Sequence, residues 1–122
     1  MPLTMGLDMR VHHIALRTRD LDKLERFYSG VLGLAVMRRH GTRSVWLDAA
    51  GTVMMLEHAE ADEPPLAPGS MDLVAFATDE PERATIERNL TEADVPVEAR
   101  TEHTLDFRDP DGRRVAVSTY AF

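Results

Sequence analysis

The sequence predicts an α+β fold made of two tandem βαβββ modules, each a sheet with one helix-covered face, its other face turned toward a cleft. Three observations predict it. An apolar-rich strand-like run, a helically spaced apolar stripe and three short β-type runs follow one another, in the order strand, helix and three strands. That order then recurs, with VHHIALRTRD in the first half matching MDLVAFATDE in the second. Between the halves lies an acidic, proline-rich break with no periodicity at all. The predicted organisation is one domain over residues 1–122, with module one at about 10–59, a linker at 60–70 and module two at 71–121.

In chain order, residues 11–18 read as a strand that ends at polar residues, with Asp20 placed to begin a helix. Leu21, Leu24, Phe27, Tyr28 and Val31 recur at three- and four-residue spacing, which makes one apolar stripe on a helix over residues 21–31. Gly30 and Gly33 supply the stop. Residues 34–40, 44–48 and 52–58 are short β-type runs separated by Gly41-Thr42 and Ala50-Gly51. In the second module residues 71–78 form a strand. Asp79-Glu80-Pro81 opens a helix whose buried side is Ala84, Ile86, Leu90 and Ala93. Three further strands are expected at 95–100, 104–108 and 113–120, the last two joined by Asp109-Pro110-Asp111-Gly112. In that turn Pro presets φ and Gly accepts a positive φ. A ferredoxin-like sandwich also mixes strands and helices, but it does not require three successive strands after each helix.

Composition narrows the function. The chain of 122 residues carries 21 acidic against 14 basic side chains, a net charge of -7, which disfavours non-specific nucleic-acid binding because phosphates attract clustered Lys and Arg. Arg38, Arg39 and Arg43 are the only basic cluster, and it reads as a solvated hairpin. The absence of cysteine excludes disulfides, thiolate metal ligands and thiol nucleophiles. Residues 1–9 lack the apolar run of a signal peptide, and no segment approaches the roughly 20 apolar residues of a membrane span, so a cytoplasmic protein without membrane contact is expected. No glycine-rich phosphate loop and no Ser-His-Asp spacing is present.

Several short motifs occur in order: His13-x-x-Leu16-Arg17, Asp20-Leu21, Phe27-Tyr28, Leu32-Gly33-Leu34, Met55-Leu56-Glu57 and Asp109-Pro110-Asp111-Gly112. Together they resemble the vicinal oxygen chelate superfamily of glyoxalases, bleomycin resistance proteins and extradiol dioxygenases, from Arg10 to Tyr120. Each motif is weak by itself; the ordered set is specific for fold and much less so for activity. The resemblance implies one divalent metal (Fe, Mn, Ni or Zn) held by His and Glu side chains on the first and fourth strands of each module. Carried over position by position, it offers His13 and Glu57 in the first module but Leu73 and Ala116 in the second, and neither of the latter can bind a metal. Asp72, the only oxygen donor near Leu73, is one residue out of phase and so on the opposite strand face. The implied metal site lacks two of four ligands.

The other candidates follow from strand parity. Arg17 shares a face with His13 and is placed either for a salt bridge with Glu57 or to grip an anionic ligand group with its planar fork. Glu57, in an otherwise apolar strand, is either a strand-end carboxylate paired with Arg17 or a catalytic base. Trp46 and Met55 serve either core packing or the wall of a cleft for a flat organic ligand. His103, at a strand start, leans toward the same cleft, while His12 and His13 are expected on opposite faces. Two functions follow. One is a protein that binds a small organic molecule without the full family metal site. The other is a metal-dependent lyase, isomerase or dioxygenase using His13 and Glu57. The resemblance implies a homodimer with clefts built from both chains.

Overall fold

The computed structural model describes residues 6–122; residues 1–5, part of the segment expected to lack a leader, lie outside the described residues. The order is β1 (His13–Thr18), α1 (Leu21–Glu25) running into a π-helical segment (Arg26–Val31), β2 (Ala35–His40), β3 (Ser44–Ala49) and β4 (Thr52–His58). After the linker come β5 (Leu73–Ala77), α2 (Glu80–Glu92), β6 (Ala99–Arg100), β7 (Thr104–Arg108) and β8 (Arg114–Ser118). The two four-stranded sheets have the same plan, β1-β4-β3-β2 and β5-β8-β7-β6, and in each the first strand runs parallel to the fourth. The repeat read from the sequence is therefore a repeat of topology. No helix among the described residues is long and apolar enough to cross a membrane.

Local chemistry explains the elements. Asp20 caps α1 by accepting from the Lys23 N–H at 3.0 Å. Asp79 and Glu82 form a reciprocal capping box at the start of α2, with Pro81 in its first turn. Gly112 holds φ +91° and donates to the Asp109 carbonyl at 2.9 Å, closing the expected turn between β7 and β8.

Three expectations need correction. The helix over residues 21–31 is α-helical only to Glu25. From Arg26 it widens, the Leu32 N–H reaching back five residues to the Phe27 carbonyl at 3.0 Å, and Phe27 and its neighbour Tyr28 are both buried. The strand expected over 95–100 pairs only at Ala99–Arg100. Pro96 has no N–H to give the ladder, and the Val95 N–H is spent on the Leu90 carbonyl at the end of α2. The strands at 11–18, 71–78 and 113–120 are each shorter at one or both ends than their apolar runs.

One core serves both modules. Leu16, Leu24, Phe27, Leu47, Met54 and Leu56 from the first join Ile86, Leu90, Leu105, Phe107 and Val117 from the second in one buried cluster. Phe27 and Phe107 meet across the join with ring centres 6.0 Å apart. Asn89 on α2 donates to the Val31 carbonyl at 3.0 Å. A buried polar clamp completes the join: the Tyr28 hydroxyl donates to Asp109 Oδ2 at 2.7 Å, and Arg113 Nη1 donates to the same oxygen at 3.0 Å. Arg113 also reaches the Arg17 carbonyl. The modules thus join through their helix-covered sides, and the other face of each sheet points away from the core.

Candidate functional site

Period-two alternation puts His13, Ala15 and Arg17 of β1 on the open face of the first sheet, while Leu16 and Thr18 turn into the core. The register sets Val53 beside His13, Met55 beside Ala15 and Glu57 beside Arg17. On the next strand Trp46 stands beside Met55 and Ser44 beside Glu57. His40 packs against the Trp46 ring with centres 4.7 Å apart, and Arg38 is its cross-strand neighbour. The result is an apolar strip of Ala15, Met55 and Trp46 across three strands, flanked along one side by the Arg17–Glu57 pair and along the other by His13. His13 and Arg17 are exposed, and Met55, Trp46 and Glu57 are half-buried.

The second sheet presents different chemistry. Leu73, Arg114 and Arg108 form one row across it, Ala75, Ala116 and Asp106 the next, and Ala77, Ser118 and Thr104 the third. Arg114 pairs with Asp106 at 2.8 Å and Arg108 with Glu98 at 3.0 Å, which holds two like charges side by side. His103 lies at the edge of this sheet, with Nδ1 3.3 Å from Thr119 Oγ1 and its ring against Tyr120. Of the expected site residues, five are therefore brought together on the first sheet, and His103 stands apart on the second.

The registers also test the metal expected from the family resemblance. The rung His13–Val53 in the first sheet corresponds to Leu73–Arg114 in the second, so the counterpart of Ala116 is Met55, and the counterpart of Ser118 is Glu57. Glu57 lies four rungs from His13, about 13 Å along the strand at roughly 3.3 Å per residue. Its carboxylate instead meets Arg17 at 3.4 Å. His13 meets a different neighbour, His12, with the two Nδ1 atoms 2.9 Å apart. These rings were expected on opposite faces, but the strand begins only at His13, so strict alternation does not govern His12. Among the described residues no group of three or more His, Cys, Asp or Glu converges as a metal would require. The donor set does not fit a four-ligand divalent site: two of its four positions, Leu73 and Ala116, are hydrocarbon, and a third, Met55, offers only a soft thioether in place of an oxygen or nitrogen donor.

A second feature of the first sheet was not legible beforehand. Glu63 of the linker lies over the end of β1, its carboxylate taking Arg17 Nε at 3.2 and 3.1 Å and Nη2 at 2.7 Å. Arg19 grips the same segment through the carbonyls of Ala61 and Glu63. The Arg17 hydrogen bonds hold the Glu63 carboxyl below the usual glutamate range; desolvation opposes them, and the Glu60 N–H and the charges of Arg17 and Arg19 add smaller effects in the same downward direction. In return Arg17 is held above its ordinary value, chiefly by the hydrogen bond to Glu63. Beneath this strap is a hollow of about 470 Å³ lined by Ala15, Arg17, Arg19, Glu63, Leu66 and Arg113 among others.

Comparisons with known proteins agree with this architecture. A family model described as the Glyoxalase/Bleomycin resistance protein/Dioxygenase superfamily matches residues 10–117. Virulence protein STM3117 of Salmonella typhimurium is 28% identical over 122 residues, covering 91% of this chain and 84% of its own length. A glyoxalase/dioxygenase structure from Nostoc punctiforme superposes with a TM-score of 0.76 at 22% identity, covering 95% of this chain and 97% of that one. A mutant of the fosfomycin resistance protein FosX from Listeria monocytogenes, complexed with Mn(II) and 1S,2S-dihydroxypropylphosphonic acid, gives 0.73 at 15% identity, over 96% and 94% of the two chains.

Proposed function

The chain belongs to the glyoxalase/bleomycin resistance protein/dioxygenase superfamily, and from that premise we propose that it binds a small organic molecule on the open face of its first sheet without the full family metal site. The observation that carries this reading is the uncovered strip of Ala15, Met55 and Trp46 flanked by polar side chains, Arg17 and Glu57 on one side and His13 on the other. Apolar walls with a few placed polar groups are what a small-molecule site requires. Trp46 and Met55 would pack against a flat ligand, Arg17 would meet its anionic group, and Glu57, beside Arg17, is the carboxylate in reach of a ligand proton. The FosX neighbour supports a ligand of this size in the fold, since it holds a small phosphonic acid. His13 stands on the far side of the strip as the remaining family donor. The metal-dependent lyase, isomerase or dioxygenase alternative would need His13 and Glu57 on one ion, and the four rungs between them do not favour it.

Both open faces are uncovered in the single chain, with His13, Ala15 and Arg17 exposed on one and Leu73, Ala75 and Ala77 exposed on the other. A homodimer that lays the second sheet of one copy over the first sheet of the other would close the cleft and bring His103 to it.

The reading is tested through Trp46, the only tryptophan of the chain. In a screen of flat organic compounds, some members should quench its fluorescence and raise the melting temperature, and sedimentation should give a particle of two chains. A chain that sediments as a monomer, with Trp46 insensitive to every compound, would remove the basis of the proposal.

A further inference from the structure

We propose that Glu63 is a built-in occupant of an anion seat at Arg17: the linker strap holds its own carboxylate where the carboxylate of a small organic acid binds, and must lift for that ligand to enter. The inference rests on the reading of the first sheet as a ligand face, and it names the ligand class and the control.

The geometry of the pair is that of a captured ligand. Arg17 points along the open face, fixed at one corner by Glu57, which accepts from Nη1 at 3.4 Å. That leaves Nε and Nη2, the two parallel donors of the guanidinium fork, and Glu63 takes both. The contact closes between residues 46 apart in sequence. Glu63 comes from a segment with no helix or strand; a single turn, with the Glu63 N–H donating to the Glu60 carbonyl at 3.1 Å and the Glu60 N–H donating to the Glu63 carboxylate at 3.3 Å, is its local support. Its neighbours are Pro64 and Pro65, which stiffen the strap, and its own carbonyl is held by Arg19.

Departure of Glu63 leaves two arginines open to an incoming anion. Arg113 is fully engaged by two carboxylates, Asp109 and Asp111, at 3.0 and 2.9 Å. Arg19 has no carboxylate in ion-pair contact among the described residues and binds only carbonyls. With Glu63 displaced, Arg17, Arg19 and Arg113 face Glu57, Asp109 and Asp111, so the local charge rises from -1 to neutral and the Arg17 fork and Arg19 are left beside the 470 Å³ hollow without a carboxylate across them. That volume accepts a molecule of ten or so heavy atoms, and the hollow adjoins Ala15 at the start of the apolar strip. A carboxylate with a flat apolar body therefore has its charged end at Arg17 and its body toward Met55 and Trp46. The pair is exposed and contributes little to stability, so its displacement is energetically feasible.

The test is calorimetric titration of the full chain with benzoate, and with benzyl alcohol as the uncharged counterpart. If the seat is free about one-tenth of the time in the native chain, Glu63→Gln should bind benzoate about tenfold more tightly, because apparent affinity scales with the open fraction. Adding Arg17→Gln to Glu63→Gln should abolish the gain, and benzyl alcohol should be indifferent to both changes. Glu63→Gln binding benzoate no better than the native chain overturns the inference; so does a gain that survives loss of Arg17, or one shared by benzyl alcohol. Trp46 quenching by uncharged flat compounds separates the two proposals. If quenching persists while the Glu63 effect is missing, only the strap fails; if both are missing, the ligand face fails as well.

Discussion

Replacing Asp109 by alanine is expected to lower folding stability by about 3–5 kcal/mol, the usual cost of removing one partner from a buried ion pair. The Asp109 side chain is fully buried and accepts four hydrogen bonds: from the Tyr28 hydroxyl, from Arg113 Nη1, and from the backbone N–H groups of Asp111 and Arg113 at 2.9 and 3.0 Å. The phenol is the donor at neutral pH, since burial, and then the Asp109 charge, push its ionisation far above the ordinary tyrosine range. Burial works against the charge on Arg113, but the Asp109 carboxylate and then Asp111 more than offset it. Loss of the Asp109 carboxylate leaves a buried hydroxyl without its acceptor, half-frees a guanidinium and removes two of the hydrogen bonds that hold the turn between β7 and β8. Tyr28→Phe, which leaves Asp109 three of its four partners, should cost only about 1–2 kcal/mol. Urea unfolding of both variants measures the difference. A loss below about 1 kcal/mol for Asp109→Ala would mean that the clamp does not join the modules.

Truncating Phe107 to alanine should cost a similar amount, about 3–5 kcal/mol, for a different reason: the vacated volume has nothing to fill it. Phe107 is fully buried on β7 and meets Phe27 from the other module at 6.0 Å. Its removal opens a cavity at the join itself. Because the two modules share this core, unfolding should remain a single transition seen alike by Trp46 fluorescence, which reports the first module, and by far-ultraviolet dichroism, which reports both. Two separated transitions in the native chain would show that each module carries its own core, and the Phe107 effect would then be confined to the second.

The architecture was legible in the sequence because its signals are local. Alternation over residues 104–108, the capping pair Asp79 and Glu82, and Gly112 in its turn each act within a few residues. Their recurrence after the linker then fixed the plan of both sheets. The site was less legible because it depends on register, which is set by pairing between distant strands. Glu57 shares the parity of Met55, so it falls on the correct face, yet two residues beyond the level of Ala116. A signal for this existed. Gly51 and Gly112 both adopt a positive φ in the turn before a fourth strand, and counting four residues on from each reaches Met55 and Ala116. The contact of Glu63 with Arg17 had no such signal. It depends on how an aperiodic segment is laid across the sheet, and composition describes that segment only as a linker.

The central claim is that three of the four positions from which relatives of this fold would ligate a metal, Met55, Leu73 and Ala116, carry no oxygen or nitrogen donor. Loading the purified protein in turn with Mn, Fe, Ni and Zn, followed by dialysis and elemental analysis, tests it most directly. The account predicts well under one ion per chain and a melting temperature unchanged by loading. One tightly held ion per chain, lost in His13→Ala, would contradict it.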